Sequence, residues 1–271
     1  MFSTGYKNSG TVCFFTGLIL AAIIFSSGCA GITGRVPETT GPGDLYDPQA
    51  FISALKEKNA DLRYFKGKGK ITYWENNKKN SVTGAAWIGL NPDRLRIALR
   101  SVSGQPLVSF ASDGKWFYLF LHSEGRFYKK RSSDSNLKRF ISIPIDSADM
   151  VSILSGRIPV RKHSSAAIIN TESGNEYILV LKKWWGDVLE KIYFDALTED
   201  VFKIEMFSGK GTLGYRAELF EMQNINGYRI PSRMVFSTEN GSVFQLDIDE
   251  YWVDISASPS VFQLTPPEQG P

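Results

Sequence analysis

The sequence predicts a mainly β fold, about a dozen antiparallel strands in one strongly bent sheet with a few short helices set against one mouth of it. Three observations predict it. Beyond residue 62 the side chains alternate with a period of two, as in Phe65, Gly67, Gly69, Ile71 and Tyr73 against Lys66, Lys68, Lys70 and Thr72. Turn dipeptides punctuate the alternation at Asp113-Gly114, Asn226-Gly227 and Asn240-Gly241. Glycines 67, 69, 84 and 89 fall inside strands, where a missing side chain marks a bend or a close approach. Two accounts of these glycines stand open, curvature alone or room for a ligand inside the curve, and both require a bent sheet.

In chain order, the first element is an apolar run over residues 12–25 that leads into Phe25-Ser26-Ser27-Gly28-Cys29. A bilayer span needs about 20 apolar residues, whereas a secretory signal core needs roughly 7–15. Small-small-Cys after such a run marks a bacterial protein for cleavage before the cysteine and attachment of lipid to its sulfur. Lys7 is the basic residue of the leading region. Residues 1–28 are therefore expected to be a lipoprotein signal peptide, with the mature chain starting at a lipidated Cys29. Of the two cysteines in the 271 residues, Cys13 is then discarded and Cys29 alkylated. This excludes an internal disulfide, thiol chemistry and a cysteine metal site. Ala30, in the place where Asp would retain a lipoprotein in the inner membrane, points to the periplasmic face of the outer membrane.

Residues 29–47 carry Gly31, Gly34, Gly41, Gly43, Pro37 and Pro42 and almost no bulky apolar side chain, so they read as a flexible lipid-anchored tether. Its end-to-end distance would be roughly 20–25 Å. Residues 48–264 are the folded domain, long enough to bury roughly 70% of its unfolded surface around one core. Residues 265–271 are expected to be a disordered tail. The net charge of +3, from 31 basic and 28 acidic residues, gives no support to nucleic-acid binding.

Within the domain, Asp47-Pro48 caps a short helix reaching about residue 59, with Phe51, Ile52 and Leu55 on one face. Strands follow over residues 65–73 and 82–90. Asn91-Pro92-Asp93 turns the chain into Leu95, Ile97 and Leu99, which alternate with Arg94, Arg96 and Arg100. Residues 107–112 and 115–121 make a hairpin about Asp113-Gly114. The strands are interrupted over residues 136–160. There Asp146 or Ser147 caps a helix of Ala148, Met150, Val151, Ile153 and Leu154, stopped by Gly156 with Pro159 beyond.

Motifs for catalysis are missing. His122 and His163 have no ligand partner at helical or strand spacing, and neither a zinc-protease, nucleophile-elbow nor phosphate-loop string occurs. Asp247 and Asp249 share a predicted strand face, which solvation explains most simply. The basic rows Lys66/Lys68/Lys70 and Arg94/Arg96/Arg100 have the same explanation, with attraction to lipid phosphates as the other reading. Trp184-Trp185 lies at a turn where both rings cannot point inward, leaving packing or a membrane interface open. No catalytic residue, metal or cofactor is expected, and the chain is expected to act as a monomer and not as an enzyme.

Three stretches resemble the LolA/LolB family of lipoprotein-sorting proteins, and its lipidated LolB-like members most. They are Asn91-Pro92-Asp93-Arg94-Leu95-Arg96 through Gly104-Gln105-Pro106-Leu107, then Ile143-Pro144-Ile145 through Gly156-Arg157-Ile158-Pro159, and Tyr228-Arg229-Ile230-Pro231-Ser232-Arg233-Met234 with residues 246–252. The resemblance implies an unclosed antiparallel β-barrel, a half-barrel, with short helices as a lid over a hydrophobic cavity. It implies Pro106 and Leu107 as a protruding membrane loop, with Val102 the alternative tip, and Ile71, Tyr73, Ile97, Leu99, Met150, Val151 and Leu154 in the cavity or lid. It implies binding of lipoprotein acyl chains delivered by a periplasmic LolA-like carrier and their insertion into the outer membrane. The alternative of the same fold is a lipid-binding or envelope-scaffold lipoprotein without transfer.

Overall fold

The chain enters its folded part through a capped helix. In the computed structural model, which describes residues 47–75, 78–132, 143–171, 175–209 and 211–266, the Asp47 carboxylate accepts from the backbone N–H groups of Gln49 and Ala50 at the start of α1 (Pro48–Glu57). That satisfies donors a helix start otherwise leaves open. The expected signal peptide, Cys29 and most of the tether and tail lie outside the described residues.

Six strands follow: β1 (Tyr64–Glu75), β2 (Lys78–Leu90), β3 (Arg94–Arg100), β4 (Pro106–Asp113), β5 (Trp116–Leu121) and β6 (Arg126–Arg131). The second helix, α2 (Ser147–Leu154), comes next. Then come β7 (Ser165–Asn170), β8 (Glu176–Lys182), β9 (Val188–Asp195), β10 (Val201–Phe207), β11 (Leu213–Ile225), β12 (Tyr228–Ser237) and β13 (Val243–Val253), with a 3₁₀ turn at Pro259–Phe262.

Among the described residues the strands form one 13-stranded sheet in the order β6-β5-β4-β3-β2-β1-β13-β12-β11-β10-β9-β8-β7. Every neighbouring pair is antiparallel, and all are consecutive in the chain except β1–β13, which joins the two halves. Among the described residues β6 and β7 are the outermost strands, and the sheet is not closed into a barrel. The fold class expected from the sequence is present.

The sheet must curl. α2 lies against β2 and β3, while its Asp149 accepts from Tyr215 of β11 at 2.7 Å and its Leu154 carbonyl accepts from Tyr251 of β13 at 2.8 Å. In a flat sheet β3 and β11, five strand steps apart, would be about 24 Å from each other. A helix is only about 10–12 Å across, so the strands wrap around it. The strand glycines serve this bend by admitting rings: a Cβ at Gly67 would run into the Trp87 indole, and one at Gly89 into the Phe65 ring. The space is filled from within the protein.

Under the helices the inner face is packed. Phe65, Leu95, Leu179, Ile192, Phe194, Ile204, Met234 and Phe236 have no exposed surface. Phe51 of α1 stacks on Phe194 with centroids 4.0 Å apart, and Met150, Val151 and Leu154 of α2 join the same core. Asn59 ties the end of α1 to its surroundings, its Nδ2 donating to the carbonyls of Ser155 at 2.9 Å and Arg229 at 2.8 Å. On the outer face Lys66 and Lys68 stand over Trp252 and Lys68 pairs with Glu250, as a solvated strand face should.

Candidate functional site

The inner face is not covered evenly. Trp87, Ile97, Phe110 and Leu119 form one cross-strand row over β2 to β5, and Ala85, Leu99, Val108 and Leu121 form the next row toward the end where β3 turns into β4. Trp87, Phe110 and Leu119 are at most 4% exposed. Ile97, Leu99, Val108 and Leu121 are only half-buried, as is Tyr73 near the end of β1. Trp87, Phe110 and Leu119 of the first row and Ala85 of the second are thus sealed, while Ile97, Leu99, Val108 and Leu121 stay partly open to water, an apolar shelf on the curved inner face.

The shelf runs into the loop between β3 and β4. The Ser101 N–H donates to the Gln105 carbonyl and the Gly104 N–H to the Ser101 carbonyl, both at 2.9 Å, and Gly104 takes the left-handed φ of 82° that closes the turn. Val102 is left at its tip, 93% exposed. Pro106 and Leu107, expected from the resemblance to form a protruding membrane loop, stand at the start of β4 beside that tip, where Pro106 pairs with Arg100 and the Leu107 carbonyl accepts from His122 N–H at 3.0 Å. Leu107 is half-buried, and Val102 occupies the tip.

Of the expected cavity and lid residues, the structure divides two sets. Ile71, Met150, Val151 and Leu154 are buried at 5% exposure or less. Tyr73, Ile97 and Leu99 lie on the shelf. Val108 and Leu121 complete it and were missed, although the alternation Val108, Phe110, Ser112 carries the signal once the register with β3 is known.

Where the lid segment crosses β9 to β11 it is held by a buried polar cluster that the sequence reading also missed. Asp149 is 3% exposed and receives the Tyr215 hydroxyl and the Arg161 guanidinium on one oxygen. Burial, with repulsion from Asp146, pushes its carboxyl up to about 6 despite Arg161 and Tyr215. Glu190 of β9 has no exposed surface and accepts from the Arg161 N–H at 2.9 Å. Its other oxygen has no partner among the described residues, and burial pushes its carboxyl up to about 8 against the pull of Arg161. The signal was available: Glu190 breaks the inward row Glu190, Ile192, Phe194, and Asp149 interrupts an apolar helix face.

Elsewhere the sequence candidates disperse. His122 bonds Ser109 Oγ at 2.9 Å and His163 bonds the Arg161 carbonyl at 2.9 Å. Asp247 is paired with Arg233 at 2.7 Å, and a bulge opposite Lys68 and Gly69 sets Asp249 out of its register. A cleft of about 340 Å³ opens between Pro144 of the lid segment and the turns at 212–214 and 238–240. Among the described residues no group of three His, Cys, Asp or Glu side chains is placed to hold a metal, and no helix is long and apolar enough to cross a membrane.

Solved structures share this fold. A LolA superfamily protein from Nitrosomonas europaea superposes with a TM-score of 0.57 at 13% identity, over 81% of this chain and 98% of that one. A DUF1329 family protein from Desulfovibrio piger gives 0.55 at 12% identity, over 83% and 98% of the two chains. A putative outer membrane lipoprotein-sorting protein domain from Vibrio parahaemolyticus gives 0.54 at 12% identity, over 79% and 94%. Identities this low establish a common fold. No family model and no curated protein sequence matches the chain.

Proposed function

We propose that this chain is a lipidated acceptor of the outer membrane, anchored through Cys29, that takes lipoprotein acyl chains from a periplasmic LolA-like carrier and inserts them into the bilayer. The observation that carries the proposal is the half-buried shelf of Ile97, Leu99, Val108 and Leu121 running into a loop tipped by Val102 at 93% exposure. An acyl chain in water costs about 0.8 kcal/mol per CH₂, so its passage across an aqueous gap needs apolar shelter. The shelf supplies a first contact, and lifting α2 from the sheet would lengthen it. Release needs an apolar probe that meets the bilayer first, the role assigned to Val102. Transfer then follows a gradient of affinity, and no reacting group is required.

The test uses the purified chain, a carrier loaded with a labelled lipoprotein, and liposomes. Val102→Glu is expected to lower delivery roughly tenfold, the effect of about 1.4 kcal/mol, with an unchanged melting temperature because the side chain touches little. Leu99→Glu should block uptake from the carrier. If Leu107→Glu stops delivery and Val102→Glu does not, the contact belongs to β4; delivery unaffected by any of the three sinks the proposal.

The filled space beneath the helices favours one other role, a lipid-binding or scaffold lipoprotein of the envelope without transfer. A chain extracted with bound phospholipid that takes nothing from the carrier would decide for it.

A further inference from the structure

The turn between β8 and β9 exposes two adjacent tryptophans, Trp184 at 81% and Trp185 at 59%. The turn is tightly made: Lys183 N–H donates to the Asp187 carbonyl at 2.9 Å and Gly186 N–H to the Lys183 carbonyl at 3.0 Å, with Gly186 at a φ of 94°. The two rings meet edge to face at 6.2 Å. Trp185 Nε1 donates to the Asp187 carboxylate at 2.7 Å, and Lys183 Nζ stands 4.9 Å over the Trp185 ring. The indoles are thus held in place by their own hairpin while their apolar surface faces water.

Position in the sheet gives this patch a direction. β3 and β8 are separated by an even number of antiparallel steps, so they run the same way and their end loops lie at the same end of the sheet. Val102 tips one of those loops and the tryptophans the other. The exposed cations Arg100 and Lys182 sit at that end as well, with Arg126, which pairs with Glu124 at 3.1 Å. The opposite end carries the loop of Asp195, Glu199 and Asp200, whose Asp200 already holds Lys58 and Arg229. Indole rings beside lysine and arginine match the headgroup layer of a bilayer, where an aromatic ring bridges apolar and wet regions and each cation gains from anionic phosphate.

We infer that the 183–187 hairpin is an interfacial anchor for a bilayer containing anionic lipid, and that it seats the Val102 end of the sheet on the membrane. A hairpin tip offers two rings on a narrow base, a shape that enters a layer and covers little of a flat protein surface. The anchor is separate from the acyl shelf and needs no transfer activity.

The full chain reconstituted into vesicles of phosphatidylcholine and phosphatidylglycerol tests this through tryptophan fluorescence, with Trp184→Ser/Trp185→Ser subtracted to isolate the two rings. The difference emission should be blue-shifted and quenched roughly twofold by acyl-brominated phospholipid, as interfacial indoles are. It should stay shielded from aqueous acrylamide, and the double variant should melt like the parent. A red-shifted difference signal, open to acrylamide and untouched by bromolipid, overturns the inference. Shielding that appears only when the loaded carrier is added hands the hairpin to a protein partner and also overturns it, while equal quenching in phosphatidylcholine alone removes the anionic requirement. Val102→Glu that fails in delivery while the quenching persists would separate this surface from the transfer proposal.

Discussion

Glu190 stands where the alternation of β9 calls for an aliphatic side chain, and its burial has a consequence that pH can read. A carboxyl whose pKa is raised in the folded state favours folding while protonated, so its contribution is complete below the unfolded value and is lost as pH rises through the folded one. For Glu190 the loss spans roughly pH 4.5 to about 8, and Asp149 adds to it up to about 6. Stability measured by urea unfolding should therefore fall between pH 5 and 8 by on the order of 3 kcal/mol, and Glu190→Gln should flatten that fall; an equally steep fall in the variant would assign it to other groups. The strand glycines divide just as sharply. A Cβ at Gly69 meets the Asp247 carbonyl, whereas one at Gly84 meets only the Arg100 carbonyl at 4.0 Å. Gly69→Ala should destabilise by about 1–3 kcal/mol and Gly84→Ala by little, and similar melting of the two would refute that account. Composition shows that these glycines lie in strands, but only register shows which of them lie under a ring, a carbonyl or open space.

At the level of elements, both helices were legible because their starts are chemical. Asp47 and Asp146 cap them as their positions suggest, the second accepting from the Asp149 N–H at 2.8 Å. Hairpins at Asp113-Gly114 and Asn226-Gly227 were legible for the same reason, since Gly114, Asn226 and Gly227 adopt the positive φ such turns demand. The docking of each helix was not legible, because it depends on partners far along the chain. Phe51→Ala, which removes the stack on Phe194, should cost about 3–5 kcal/mol in unfolding experiments. Tyr215→Phe leaves the buried Asp149 with one donor fewer. Hydrogen exchange should then speed up over Ser147–Leu154 while β10 and β11 keep their protection; uniform acceleration would mean that α2 is not a separately opening unit. The shelf and its rim stayed hidden for a related reason. Alternation names the apolar face of β3 to β5, but how much of that face the lid covers depends on where α2 lands.

On the scale of the whole molecule, the period-two pattern was enough for the class of fold and for strands laid down as successive hairpins. What it left unspecified was the one long-range choice, the pairing of β1 with β13, because nothing in the alternation of either strand names its partner. That choice has a bearing on how the protein comes into being. A chain delivered from its N-terminal end can zip each hairpin as soon as the strand emerges, yet β1 stays bare along one side until β13 arrives almost last. Pulse-labelled exchange during refolding should find the amides that bridge this seam among the last to gain protection. A newborn molecule would spend most of its synthesis as two half-sheets, each with a sticky border open to strangers until the last strand covers it.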